Sequence, residues 1–241
     1  MQLTASSCAN PTLLAAANHV YAAYYSKPYP PPAAGAVGAH WIDWQPMFGI
    51  HRRNHGLAHA LRKVCLVRKV AAAFRVKQGG LYSFPEEMLD AMQVAMLFEV
   101  CGRQSEAGWS DDATKHTQYR TASRAAFRDW ATPTNSISKE NATICFDALE
   151  RMFITEKTSA SAPVKAVFEV CHDLDLFRCY GIQMRGKLSE LEQLFGEYEA
   201  GQLARLAVQM IKKTGDLTLT LTQTQTLALT LTLTLTLTRR S

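Results

Sequence analysis

The sequence predicts an all-α fold: a single compact multi-helix domain followed by a low-complexity C-terminal tail. Three observations favour this class. Apolar residues recur at helical spacing, no strand pattern precedes residue 216, and proline and glycine clusters separate the periodic segments. A length of 241 residues with 47% hydrophobic content fits one globular domain with a tail.

The first two expected helices lie on either side of a proline-rich loop. An alanine-rich stretch over residues 11–25 predicts the first helix, which the prolines of residues 28–32 terminate. The second helix is expected to begin at the N-cap Asn54 and to end near residue 77, before a glycine pair. Its apolar residues recur at helical spacing, so one side of it is expected to be core.

The third helix is expected after Pro85, where two glutamates form a favourable acidic first turn. It carries few charges and is expected to be buried on most sides, with Gly102 ending it. Further helices are predicted over residues 112–130, 138–154, 163–171 and 187–213.

These patterns divide the chain into three parts. Residues 1–40 hold the first helix and the proline-rich loop, residues 41–215 form the helical domain, and residues 216–241 form a Leu-Thr repeat tail. A strand in the tail would lack a partner sheet and would be prone to aggregation. The repetition resembles translated simple-sequence DNA, so the tail is expected to be non-catalytic.

The formal charge of +5 is unevenly distributed, because no acidic residue occurs between Arg52 and Lys77. This stretch favours a phosphate-bearing partner, and it is equally typical of a solvated helix face. Aromatic residues that could stack on bases are not interleaved with it, so nucleic-acid binding is not expected.

The six cysteines are scattered without a CxxC pair, and four lie in apolar helical stretches, as reduced core thiols do. Neither a signal peptide nor a membrane-spanning segment is recognisable. We therefore expect a soluble protein with no cofactor, no structural zinc and no membrane partner.

Three short motifs predict one acid-base site: Asn54–Arg62, Gly102–Glu106 and His172–Cys179. Each joins histidine or carboxylate to arginine, residue types that can hold a phosphate, attack it and protonate its leaving group. His55, His59 and Arg62 are spaced to lie along one helix face. The alternatives are surface histidines at a helix start, a loop salt bridge at Glu106 and a core histidine at His172.

These motifs, in this order and together with Ala95–Gly102, resemble the phosphodiesterase domain of the SidE-type bacterial effectors over about residues 50–180. The resemblance implies action on ubiquitin that carries ADP-ribose on an arginine. Such domains cleave the phosphodiester and pass phosphoribosyl-ubiquitin to a serine, or remove it from that serine in stand-alone relatives. It also implies a protein of the bacterial cytoplasm, or one secreted into a host cell.

The resemblance also implies residue roles. His55 corresponds to the nucleophile, which would become a transient phosphohistidine; Glu106 to the catalytic glutamate; and His172 to the general acid. The candidates for binding the phosphate are His59, Arg62, Arg103 and Arg178.

The helical pattern is similar to the wider HD phosphohydrolase fold as well, in which a His-Asp pair binds metal. This chain has Glu99-Val100-Cys101 in that region, so metal-independent chemistry is expected. Asp173 and Asp175 are then expected to orient their neighbours or to cap a helix rather than to bind an ion.

The ADP-ribosylating domain of the large family members has no counterpart here, so a hydrolase or a dependent second-step enzyme is expected. The chain is shorter than expected for the full family domain, which leaves a catalytically inactive remnant or binding module as one alternative. A metal-dependent HD-type nucleotide phosphohydrolase is the other. The sequence indicates neither the acceptor protein nor the oligomeric state.

Overall fold

The computed structural model describes residues 10–27, 52, 55–77, 82–103, 113–134, 137–152, 160–178 and 184–220. The regular elements in these ranges are all helical. The predicted all-α class is therefore confirmed. Asn54 and the Leu-Thr repeat beyond residue 220 lie outside the described residues, and the domain boundaries stay predictions.

The described ranges contain eight α-helices, numbered here in chain order. They are α1 (Pro11–Val20), α2 (Leu57–Lys77), α3 (Glu86–Phe98), α4 (Ala113–Thr134), α5 (Lys139–Arg151), α6 (Ala162–Asp175), α7 (Met184–Phe195) and α8 (Glu197–Thr220). A π-helical turn, Tyr21–Tyr25, extends α1, and a 3-10 turn, Leu176–Arg178, extends α6.

Helix α1 begins where the sequence provides both an N-cap and a proline. The side-chain oxygen of Asn10 accepts a hydrogen bond from the backbone N–H of Leu13 at 3.1 Å, and Pro11 occupies the first turn. At the other end, the buried Tyr25 hydroxyl donates to the carbonyl of Leu97 at 2.7 Å. This bond fixes the end of the π-helical turn to the last turn of α3.

Helices α2 and α3 form the centre of the domain. α2 packs against α3, α6 and α8, and α3 also contacts α1, α4 and α5. The buried surface of α3 includes an unbroken run over residues 91–98, which confirms the expectation that few of its sides face solvent. Because the chain turns away directly after Phe98, residues 99–103 lie at the buried end of α3.

The helix predicted over residues 187–213 is two helices. Gly196 separates α7 from α8 with a φ of +89°, a conformation that side-chain-bearing residues rarely adopt. Helix α8 also continues past Gly215 as far as Thr220, further than predicted. Glycine inside a helical pattern lowers stability without forbidding the helix, so the position of Gly215 alone did not locate its end.

Cys101, Cys145 and Cys171 are buried free thiols. Burial raises the pKa of the Cys101 thiol to about 12, and it also raises the pKa values of the Cys145 and Cys171 thiols. These thiols are therefore protonated and unreactive, as predicted for core residues. None of the described helices combines the length and apolar character needed to span a membrane.

Candidate active site

One polar face of α2 is buried. His59 is 1% exposed, Arg62 8% and Lys63 0%, and their spacing places them on adjoining turns of the same helix side. The alternative interpretation of this basic stretch as a solvated helix face is therefore wrong at these three positions. Buried charges require partners, and carboxylates at the ends of α6 and α3 supply them.

Asp175, the last residue of α6, binds two of these side chains. Arg62 Nε donates to Asp175 Oδ1 at 2.5 Å, and His59 Nδ1 contacts Asp175 Oδ2 closely. Burial alone would raise the pKa of Asp175, but His59 and Arg62 hold it well below its usual value. Asp175 thus orients its neighbours, as expected from the sequence.

Glu99, in the turn after α3, is the second carboxylate of the site. Lys63 Nζ donates to Glu99 Oε2, His172 Nδ1 lies 3.5 Å from Glu99 Oε1, and His59 Nε2 lies 4.0 Å from Glu99 Oε2. Burial disfavours the ionised form of Glu99, but Lys63, His172 and His59 outweigh it and hold its pKa well below the usual value. Glu99 is therefore a carboxylate at neutral pH.

Glu99 was not predicted as a functional residue. Residues 99–101 belong to the Ala95–Gly102 stretch that carries the family resemblance, and they lack the His-Asp metal pair of the HD phosphohydrolases, but neither observation predicted a role for Glu99. The available signal was a single acidic residue at the end of a strongly apolar helix, because a buried carboxylate must be paired with a cation or with hydrogen-bond donors.

Three histidine rings form a continuous row. The rings of His55 and His59 are 5.4 Å apart between centroids, and those of His59 and His172 are 6.3 Å apart. Both contacts are edge-to-face, with interplanar angles of 79° and 84°. His55 and His172 are half-buried whereas His59 is buried, so the row has two solvent-accessible ends and a hidden middle.

The structure thus brings four of the predicted residues together: His55, His59, Arg62 and His172. Arg103 is buried nearby, with its guanidinium carbon 4.9 Å from the centre of the Tyr119 ring. Burial and then the charge of Glu99 raise the pKa of Tyr119, whereas Arg120 and Arg103 lower it. Tyr119 therefore experiences the charges of both Glu99 and Arg103.

The structure does not describe the side chain of either remaining predicted residue. Glu106 lies outside the described residues. Arg178 is the last residue of the 3-10 turn that follows α6, and its side chain is likewise outside the described part.

The turn that carries Glu99 is fixed against α4. The backbone N–H of Gly102 donates to Ser123 Oγ at 2.9 Å. A Cβ atom at Gly102 would lie 2.6 Å from both the Ser123 nitrogen and the Tyr119 carbonyl oxygen, so only glycine fits there. Arg52 supports the same turn by donating to the Cys101 carbonyl at 2.8 Å.

His59, Glu99 and His172 could hold a metal ion. One ligand atom of each residue lies within 4.8 Å of the others, and two imidazoles with one carboxylate is a ligand set of catalytic zinc sites. Lys63 donates to the same carboxylate and adds a positive charge where a cation would bind. The ligand types fit a metal, whereas the local charge does not.

Solved structures with a similar fold come from lpg1496 of Legionella pneumophila. The C-terminal domain of lpg1496 in complex with nucleotide is 24% identical, with a TM-score of 0.67, and the alignment covers 86% of this chain and 85% of that one. Another structure of that C-terminal domain is 25% identical, with a TM-score of 0.67 and coverages of 86% and 84%. A longer structure, of the uncharacterized protein lpg1496, is 24% identical with a TM-score of 0.68, and this chain covers 58% of it.

No curated protein matches the sequence significantly. A family model does match, over residues 41–222, and it describes the SidE phosphodiesterase (PDE) domain. The matched range covers more than half of the chain and includes every residue of the histidine and carboxylate cluster. The protein therefore belongs to the SidE phosphodiesterase domain family.

Proposed function

We propose that this protein is a phosphodiesterase acting on ADP-ribosylated or phosphoribosyl-linked ubiquitin, with His55 as nucleophile and His172 as general acid. The observation that carries the proposal is the histidine row. His55 and His172 are half-buried, and both pack edge-on against the buried ring of His59. Two accessible imidazoles in one site can divide attack and proton transfer between them.

The reaction would proceed in two displacements at phosphorus. A ring nitrogen of His55 attacks, so a P–N bond forms as the P–O bond to the leaving group breaks, and His172 gives its proton to the departing oxygen. His172 then takes a proton from water or a serine hydroxyl. The oxygen so activated attacks phosphorus and breaks the P–N bond, which restores both histidines.

The geometry divides the predicted phosphate-binding residues into two groups. Arg62 is engaged with the Asp175 carboxylate, so its role in the proposal is to hold Asp175 and, through it, His59. Arg103 and Arg178 remain the proposed phosphate-binding residues, because a guanidinium group can bind phosphate through two hydrogen bonds. The buried His59 would support the two reacting histidines rather than contact the phosphate.

The substrate proposal rests on family membership and on one solved relative. Membership of the SidE phosphodiesterase domain family supports cleavage of a phosphodiester. The C-terminal domain of lpg1496 has been solved in complex with nucleotide, and ADP-ribose contains a nucleotide. Both observations favour a phosphodiester that is part of, or derived from, an ADP-ribosyl group.

The test is incubation with two substrates, followed by mass spectrometry of the products. ADP-ribosylated ubiquitin should lose AMP, and phosphoribosyl-ubiquitin linked to a serine peptide should release the peptide. Both reactions should stop in His55→Ala. Binding of both substrates without turnover in the unaltered protein would instead support a catalytically inactive binding module.

A metal-assisted phosphohydrolase is the second candidate, and the cluster of His59, Glu99 and His172 is the observation that favours it. A metal-bound water would then replace His55 as the attacking group. Treatment with EDTA followed by dialysis separates the two mechanisms. Activity should persist if His55 attacks, whereas loss on chelation and recovery with manganese would favour the metal mechanism.

A further inference from the structure

We infer that Lys63 is a positioning residue that holds Glu99 next to His172. Its buried ammonium group is the fixed cation of the site, in the place where a divalent metal ion would otherwise bind. Lys63 is 0% exposed and donates through Nζ to Glu99 Oε2. Lysine is almost never fully buried without a partner, so this burial indicates a specific requirement for positive charge.

The site contains two similar arrangements, each made of one cation from α2, one carboxylate and one histidine. Arg62 and Lys63 are adjacent, and each binds one carboxylate: Arg62 binds Asp175, and Lys63 binds Glu99. Each carboxylate in turn faces the Nδ1 atom of one histidine, Asp175 facing His59 and Glu99 facing His172. One helix therefore delivers two cations that order two carboxylate-histidine pairs.

The pairing of Glu99 with His172 determines which ring nitrogen of His172 can exchange a proton with the substrate. An ionised carboxylate can only accept hydrogen bonds, so Glu99 favours a proton on Nδ1 of His172, 3.5 Å away. Nε2 is then the atom that exchanges a proton with the leaving group or the incoming hydroxyl. Lys63 acts through Glu99, so it shapes the general acid proposed above without touching the substrate.

The same geometry explains why Lys63 opposes metal binding. His59, Glu99 and His172 offer ligand atoms within 4.8 Å of one another, but the ammonium group neutralises the carboxylate that would attract the ion. Removal of the ammonium leaves two imidazoles and an uncompensated carboxylate. That combination is a good site for a divalent transition metal.

The first test uses the unaltered protein and needs no substrate. Long-range ¹⁵N NMR of histidine-labelled protein distinguishes the two neutral tautomers of each imidazole, and His172→Gln identifies the signals of His172. We expect the neutral ring of His172 to carry its proton on Nδ1. A proton on Nε2 would overturn the inference, whether or not the protein turns over substrate.

The second test compares Lys63→Met and Lys63→Arg with Arg68→Met. Arg68 is a matched control, because it also joins α2 to α3 through carboxylates, those of Glu86 and Asp90 at 2.5 Å, but on the protein surface. We expect Lys63→Met to lower kcat by about tenfold or more with little change in KM, by analogy with residues that orient metal-ligand side chains. Lys63→Arg should recover part of the loss, and Arg68→Met should match the unaltered protein.

The third readout is the visible absorption of bound Co²⁺, which reports inner-sphere binding in the absence of substrate. Lys63→Met should bind Co²⁺ at least about tenfold more tightly than the unaltered protein, because a repelling charge has been removed. Equal Co²⁺ affinity in the two proteins would contradict the inference. If Lys63→Met does not fold, the inference is still tested by two other measurements. These are the tautomer of His172 in the unaltered protein and the kcat of Lys63→Arg.

The outcomes separate this inference from the proposed function on which it rests. An Nδ1-protonated His172 in a protein that turns over neither ubiquitin substrate would support the role of Lys63 and contradict the proposed reaction. Full turnover of the substrates by a protein whose neutral His172 carries its proton on Nε2 would support the proposed reaction and contradict the role of Lys63.

Discussion

Nδ1 of His172 lies 3.5 Å from Oε1 of Glu99, which joins the end of α6 to the turn after α3. The second oxygen of the same carboxylate accepts from Lys63, so Glu99 is held from both sides. The carboxylate is buried and ionised at neutral pH. His172 is therefore partly exposed, whereas its partner Glu99 cannot move without breaking the buried ion pair with Lys63.

Glu99→Gln tests the importance of that pair. The amide can donate a hydrogen bond to Nδ1 of His172, which favours the opposite tautomer and removes the proton from its proposed place. In other enzymes, misplacement of a catalytic histidine proton lowers turnover by roughly 10²–10⁴-fold. We expect a loss of that order in kcat with the fold retained, measured by steady-state kinetics and circular dichroism. Normal kcat in Glu99→Gln would mean that Glu99 has only a structural role.

His172→Ala should affect the two proposed substrates unequally. Release of a serine alkoxide requires a proton, whereas AMP leaves as a stable anion and requires less assistance. In a single-turnover assay, attack on serine-linked phosphoribosyl-ubiquitin should therefore slow more than attack on ADP-ribosylated ubiquitin. Equal slowing of both first steps would show that His172 does not protonate the leaving group.

Asp175 makes stability dependent on pH in a defined direction. Its folded-state pKa lies well below the ordinary value of 3.8, so its contribution to the free energy of unfolding is present above about pH 4 and is lost as the pH falls through the folded pKa. Asp175→Asn should cost roughly 3–5 kcal/mol at pH 7, because the buried Arg62 loses its counter-charge. Urea unfolding between pH 7 and pH 3 should then show a shallower loss of stability toward acid than in the unaltered protein.

Because Glu99 remains in that variant and titrates in the same direction, the acid dependence should decrease without disappearing. An unchanged slope would mean that Asp175 is not paired in solution.

Gly102→Ala should destabilise the turn that carries Glu99. The new Cβ would lie 2.6 Å from two backbone atoms of α4, and overpacking of this kind typically costs about 1–3 kcal/mol. Gly201→Ala is the matched control, because its nearest contact is a flexible arginine end at 3.9 Å and alanine is favoured over glycine inside a helix by roughly 0.5–1 kcal/mol. In thermal unfolding, Gly102→Ala should lower Tm and Gly201→Ala should raise it. An unchanged Tm in Gly102→Ala would contradict the described packing.

Helical periodicity was sufficient to predict the fold class, because each core helix repeats its apolar residues on one side. It did not predict the break at Gly196, since a glycine within an amphipathic pattern is compatible with both a continuous helix and a positive-φ turn. The backbone there has a φ of +89°, and tertiary packing rather than local preference determines which form is adopted.

The candidate site was predictable where its residues lie close together in sequence or carry distinctive chemistry, although α2 begins at Leu57 and His55 therefore precedes the helix on which it was expected. His55, His59 and Arg62 are close in sequence, and His172 belongs to a recognisable motif. Glu99 and Lys63 were not predicted, because their contact joins residues 36 positions apart. A lysine in a basic stretch is indistinguishable from a solvated lysine until the carboxylate opposite it is known.

The most direct test of the proposed mechanism is the intact mass of His172→Ala after addition of ADP-ribosylated ubiquitin. Attack by His55 can still expel AMP, but the second displacement lacks its base, so one phosphoribosyl-ubiquitin should accumulate on the protein as an acid-labile phosphoramidate. Peptide mapping should locate the adduct at His55, and the double variant His55→Ala/His172→Ala should lack it. Full turnover by either single variant, or the same adduct on the double variant, would contradict the assignment of His55 as the nucleophile.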